Sequence, residues 1–131
     1  MIRLLDTNAC IQLWQRNNLV MRQHFTQYGP ADIALCSVVK AELLFGALRG
    51  DKKNVQLLSN LFAPLLSFDF DDVAAEHYAH IRSELTVQGN LIGANDLIIA
   101  AIARANNAVL VTHNTAEFGR VNGLTIEDWE V

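Results

Sequence analysis

Three acids in this sequence stand among apolar neighbours: Asp6 closes Leu4-Leu5-Asp6, Glu42 lies in Ala41-Glu42-Leu43-Leu44, and Asp96 precedes Leu97-Ile98-Ile99-Ala100. A carboxylate in such surroundings reaches solvent or needs a partner, because an unpaired buried charge is costly. Each has a structural role open to it. Asp6 or Thr7 fits as the cap of a following helix. Asp96 in a first helical turn is favoured by the macrodipole, by roughly 0.3–1 kcal/mol. Glu42 fits a solvated helix face. Such roles account for the acids singly and leave open why three acids are each embedded in hydrophobic sequence close to strand ends and helix starts. Three carboxylates brought together repel unless a cation holds them. With oxygen donors and no usable Cys or His spacing, that cation is Mg²⁺ or Mn²⁺ rather than zinc.

The elements that must position these acids follow from hydrophobic periodicity. Short apolar runs at Ile2–Leu5, Ile33–Cys36, Leu65–Phe68, Val109–Thr112 and Leu124–Ile126 read as strands. They alternate with helical patterns, which predicts an α/β fold with a central, mostly parallel sheet of four to five strands flanked by helices. Helices are expected over Val38–Leu48 with Ser37 as N-cap, Lys52–Leu61, Asp71–Gln88 closing at Gly89, and Asn95–Ala105, the last buried. Thr7–Trp14 and Val20–Tyr28 read as an opening helical hairpin. In an open α/β sheet, functional groups gather outside the carboxyl ends of the strands. Asp6 and the Thr112-His113-Asn114 segment end strands and Asp96 opens a helix, whereas Glu42 sits within one.

Composition narrows the classes. With 131 residues, 51% of them hydrophobic, the chain is expected to form a single domain over 1–131 with one core. No apolar run approaches the roughly 20 residues of a membrane span, and the N-terminus lacks a signal-peptide pattern, so a cytoplasmic protein is expected. Cys10 and Cys36 lie apart amid apolar neighbours and read as reduced, buried thiols. A net charge of −4 argues against coating nucleic acid by bulk electrostatics and leaves room for a local basic rim.

Four strings, in order, carry a resemblance: Leu5-Asp6-Thr7-Asn8; Val38–Ala47 with Ala41-Glu42-Leu43; Ile92–Ala101 with Asn95-Asp96; and Leu110–Phe118 with Thr112-His113-Asn114. Together they resemble a PIN-domain nuclease, and in order and spacing the VapC-type toxins in particular. The similarity runs on to Leu124-Thr125-Ile126-Glu127-Asp128-Trp129. It implies a PIN-like fold and an Mg²⁺- or Mn²⁺-dependent endoribonuclease acting as the toxin of a type II toxin–antitoxin pair. The implied partners are a VapB-type antitoxin and a second copy of the chain. For the homodimer a further reason is the apolar opening hairpin, where Ile11, Leu13, Trp14, Leu19 and Phe25 exceed what one small core would absorb. The implied substrate is structured RNA, often tRNA, with the initiator tRNA anticodon loop favoured.

Carried over residue by residue, the resemblance makes Asp6, Glu42 and Asp96 the catalytic, metal-coordinating acids. Asn8 and Thr112 would orient a carboxylate or water by hydrogen bonding. The family often has a fourth acid after the Thr of the fourth strand. Here the first candidate position is Asn114 and the next acid is Glu117, which leaves the fourth ligand, and a second metal ion, open.

Other residues invite weaker readings. Lys40, Arg49, Lys52 and Lys53 are candidates for a phosphate-contacting rim or for a solvated helix end. Asp69, Asp71 and Asp72 fit helix capping. His77 and His80 fit a solvated face, His113 the exposed edge of the site, and Trp14 and Trp129 packing. Two competing functions remain: a metal-dependent phosphohydrolase, and a catalytically inactive module that holds a cation for structure. An aspartyl phosphatase would want a second Asp where Asn8 stands, and the acidic pair of a receiver domain is absent.

Overall fold

The computed structural model describes residues 1–131. Each of the five apolar runs forms a strand: β1 Arg3–Leu5, β2 Ile33–Cys36, β3 Leu66–Phe68, β4 Val109–Val111 and β5 Thr125–Glu127. All neighbouring strands pair in parallel, in the order β3-β2-β1-β4-β5. The chain thus winds outward from β1 in one direction through β2 and β3, then returns to its other side for β4 and β5. This reversal puts the topological switch between β1 and β4, where open sheets of this kind bind ligands. Leu4, Leu5, Ala34, Leu35 and Leu110 are fully buried, as expected for central parallel strands covered on both faces.

The helices are α1 Thr7–Cys10, α2 Leu19–Phe25, α3 Ser37–Arg49, α4 Lys53–Phe62, α5 Asp72–Gln88, α6 Ala94–Ala105 and α7 Thr115–Phe118. The apolar α6 is the most buried, with Leu97, Ile99, Ala100, Ala101, Ile102 and Ala103 inside. At the end of α5, Gly89 takes φ +69, the left-handed conformation that lets a helix stop. At its start, Asp71 accepts the Ala74 N–H at 2.9 Å. Asp71→Ala is expected to cost about 0.5–2 kcal/mol in urea unfolding, and a smaller change would mean that the cap is not coupled to global stability.

Four expectations need correction. First, the opening helix changes character: after Cys10 the chain widens into π turns over Ile11–Gln15, and α2 stops at Phe25. Second, Ser37 is not an N-cap. Cys36 has the extended cap conformation, α3 begins at Ser37, and the Ser37 hydroxyl donates to the Asp69 carboxylate at 3.0 Å. β2 runs straight into α3, so the helix starts one residue earlier than its polar residue suggests.

The third correction concerns the hairpin's apolar residues. Leu13 is buried and Ile11, Trp14 and Phe25 pack against the core, leaving Leu19 at 72% exposure. The core absorbs what looked like a surplus. Fourth, His77 is not a solvated residue, because its Nδ1 accepts from Arg104 Nε at 2.9 Å. Cys10 and Cys36 are free and fully buried, as read from their neighbours. No helix is long and apolar enough to cross a membrane.

Candidate active site

Only two polar residues in the molecule are buried, and they lie at the carboxyl ends of the two strands that flank the switch. Asp6 follows β1 and is 7% exposed, and Thr112 follows β4 and is 1% exposed. The backbone ties them in place: the Asp6 N–H donates to the Val111 carbonyl, and the Thr112 N–H to the Glu127 carbonyl. The sheet carries Asp6 inward and α1 begins immediately after it, so the side chain both caps α1 and faces the crevice. Its Oδ1 accepts the Ala9 N–H at 2.8 Å. Burial raises the Asp6 pKa, and the bonds from the Thr112 hydroxyl and the Ala9 N–H work against that rise without cancelling it.

A cleft of about 310 Å³ opens above these strand ends, and Asp6, Asn8, Glu42, Asp96 and Asn114 line it together with Thr7. The candidates from β1, α3, α6 and the end of β4 therefore converge. Asp96 is half-buried in the first turn of α6. Burial, then the bond to Glu117 and the charges of Glu117, Asp6 and Glu42, push its pKa up to about 6. Glu42 comes in from α3 and accepts the Thr7 hydroxyl at 2.8 Å across 35 residues of sequence. Glu117, from the short α7, accepts the Asn114 amide at 2.8 Å. Asn114 and Glu117 thus act as one unit beside Asp96. Meanwhile the Asn114 backbone N–H donates to Thr112 Oγ1 at 3.0 Å.

The acidic oxygens share the cleft without touching. Asp6, Glu42 and Asp96 do not form a group whose ligand atoms all lie within 4.8 Å of one another. Burial is the main cause of the raised pKa values of Asp6 and Asp96, and the neighbouring acids add to it.

Other candidates lie elsewhere. Lys40 donates to Ser67 Oγ at 2.9 Å and lies 5.5 Å from the centre of the Phe62 ring, so it braces α3 against β3 instead of lining the cleft. Arg49 lies over Phe45, and Lys52 and Lys53 are exposed at the start of α4. None of the four lines the cleft. His113 is at the edge as expected, but its Nδ1 lies 2.9 Å from Asp128 Oδ2. Sequence reasoning missed that pairing and the Thr7–Glu42 bond, because neither spacing has a local signature.

Beside the cleft, an apolar groove of about 490 Å³ shares Thr7, Ile11 and Glu42 with it and continues past Trp14, Leu57 and Leu61.

The PIN domain model matches residues 3–124. Over 128 residues the chain is 35% identical to Ribonuclease VapC2 of Haemophilus influenzae, with 96% of each chain covered. It is equally similar, over the same share of each chain, to the tRNA(fMet)-specific endonuclease VapC of Shigella flexneri. Among solved structures, VapBC2 from Rickettsia felis bound to a DNA fragment from their promoter is similar at TM-score 0.91 and 34% identity, covering 98% of this chain and 99% of that one.

Proposed function

The chain belongs to the PIN-domain family, and from that premise we propose that it is a divalent-metal-dependent endoribonuclease, the toxin of a type II toxin–antitoxin pair. The observation that supports this most is the cleft at the β1/β4 switch, where one buried carboxylate and two partly buried ones from three separate elements face a shared space. The donor set suits Mg²⁺ or Mn²⁺, because it offers hard carboxylate oxygens with no thiolate or imidazole. The fit is also electrostatic: Asp6 and Glu42 both raise the Asp96 pKa, and a cation would relieve that mutual repulsion.

Asp6, Glu42 and Asp96 would hold the ion, with Glu117 or Asn114 in the fourth place. The chemistry that such an ion supplies when bound is phosphate binding, acidification of the attacking water and neutralisation of charge during in-line displacement. The protein's own contribution is positioning. Ala9 N–H and the Thr112 hydroxyl fix the Asp6 carboxylate, the Thr7 hydroxyl fixes Glu42, and the Asn114 amide fixes Glu117. Such partners restrict carboxylate rotation, and losing one typically costs about 10–100-fold in affinity or activity. Asn8, exposed on the rim, is available to an incoming substrate or water.

For substrate we propose structured RNA, specifically tRNA, with the initiator anticodon loop as the favoured site. The supporting relative is one named as a tRNA(fMet)-specific endonuclease at 35% identity. For partner we propose a VapB-type antitoxin, since the similar Rickettsia structure is a VapBC complex. The apolar groove adjoining Glu42 suits an apolar segment of such a partner, with a basic side chain reaching the acids.

The test incubates the purified chain with small RNA in Mg²⁺, Mn²⁺ or EDTA and maps new ends, alongside expression in cells without a partner. Cleavage in the anticodon loop with either metal, none in EDTA, and growth arrest are expected. Cleavage that persists in EDTA, or normal growth with soluble, folded protein, refutes the reading.

A further inference from the structure

Outside the cleft, one other set of side chains converges as metal ligands do. His113 follows β4, and Asp128 and Glu130 follow β5, the strand that pairs with it. His113 Nδ1 lies 2.9 Å from Asp128 Oδ2 and 3.9 Å from Glu130 Oε2. The three ligand atoms all lie within 4.8 Å of one another, and no other group of three or more in the molecule does this. Donors around a tetrahedral ion with bonds of about 2.1 Å sit about 3.4 Å apart, and the separations of 2.9 and 3.9 Å bracket that spacing.

The ligands are held from behind. Trp129, between the two acids, is 2% exposed and stacks on both Tyr28 and His24, with ring centres at 5.4 and 5.6 Å. This anchor sets the backbone on either side of it. The other oxygen of Asp128 accepts the Glu130 N–H at 3.0 Å, which fixes the carboxylate and leaves Oδ2 toward the imidazole. A rigid frame of this kind is what orients ligands before an ion arrives. The Asp128 and Glu130 side chains are only 17% and 16% exposed, whereas His113 is 55% exposed, so an ion has an entry path from solvent.

We propose that His113, Asp128 and Glu130 form a second cation site, selective for zinc-class ions, that clamps the segment after β4 to the C-terminal segment at the edge of the cleft. An imidazole with two carboxylates is a borderline donor set that suits Zn²⁺ better than Mg²⁺, which sets it apart from the all-oxygen cleft. The alternative is a histidine hydrogen-bonded to Asp128 with Glu130 nearby and no ion involved. The two make different predictions, and neither depends on the nuclease reading. Binding would displace any proton on His113 Nδ1 and couple the ion to the position of Asn114, the next residue, which lines the cleft.

The test uses the Asp6→Asn/Asp96→Asn double variant, which silences the cleft, and measures Zn²⁺ by equilibrium dialysis and by thermal shift. The expected result is one Zn²⁺ per chain with a raised melting temperature. Adding His113→Ala should weaken binding at least 10-fold and abolish the thermal shift, while the zinc-free melting temperature stays unchanged. His113→Cys, which restores a zinc ligand at the same place, should recover binding. If the double variant retains no zinc, or if His113→Ala retains as much, the site does not exist. Cleavage is not read, so the outcome stands apart from that of the RNA experiment.

Discussion

Asp96→Asn is expected to abolish RNA cleavage and to raise the melting temperature of the metal-free protein. Two physical terms lead to this expectation. On the proposed function, removing one carboxylate from the set that would hold the cation removes a share of phosphate binding and charge neutralisation, several kcal/mol, which corresponds to about 10²–10⁴-fold in rate. The same carboxylate is unfavourable to the apo fold, since burial, Glu117 and the neighbouring acids hold its pKa at about 6. The sign follows from linkage. Between the unfolded value of 3.8 and about 6, the folded state binds more protons at this site, so its contribution to stability falls as pH rises through that window and is constant above it. In Asn that slope is absent. Melting temperatures of parent and variant should therefore diverge between pH 4 and 6 and stay apart at pH 7, provided that EDTA is present.

Asp6→Asn and Glu42→Gln are expected to lose cleavage to the same degree. Asp6 adds a complication that ligand-or-cap reasoning overlooks, because it caps α1 and also faces the cleft. Asn keeps the capping oxygen, so Asp6→Asn should leave stability unchanged or raised, whereas Asp6→Ala should cost about 0.5–2 kcal/mol as well. Glu117→Gln should give a partial loss. Asp71→Ala is the control that lowers stability and leaves the rate alone. Parent-rate cleavage by any one of the three principal variants would remove that residue from the site.

Trp129→Ala is expected to destabilise the protein by about 3–5 kcal/mol in urea unfolding, the usual cost of deleting a buried aromatic. The indole is 2% exposed and stacks on both the Tyr28 and His24 rings. Its Nε1–H donates to Glu127 Oε1 at 3.0 Å, and Arg3 pairs with the same carboxylate. Burial works to raise the Glu127 pKa, but the bonds from Arg3 and Trp129 outweigh it and hold the carboxyl below its usual value. Arg3 also lies over the Tyr28 ring at 4.5 Å. One side chain thus joins β1, β5 and the segment after α2. Trp129→Phe keeps an aromatic ring for stacking but loses the N–H bond and part of the buried ring, so a smaller cost, about 1–3 kcal/mol, is expected. A cost below about 1 kcal/mol for the alanine variant would show that the stack is peripheral.

The strands and helices were legible in the sequence because their signals are local. A short apolar run bounded by polar residues has few alternatives to a buried parallel strand, and β1, β2 and β4 appear within a residue of where the pattern puts them. The same locality brought out Asp6 and Asp96: a strand end and a helix start are both visible along the chain, and the sheet rule says what lies there. The π turns after Cys10 lack such a signal, since Ile11–Gln15 has the composition of ordinary helix.

Glu42 marks the limit of this reading. Its helix could be read, but its orientation could not, because the Thr7 hydroxyl that meets it is 35 residues away and only the packing of α3 against α1 brings them together. Lys40, two residues before it, looked equally suited to a phosphate rim, yet the same helix turns it toward Ser67 and Phe62. His113 and Asp128 meet only because β4 and β5 pair in register. Local hydrophobicity determined which segments are buried and where they end. Which polar side chains then face one another depended on strand order and helix rotation, since long-range packing has no counterpart in the spacing of residues along the chain.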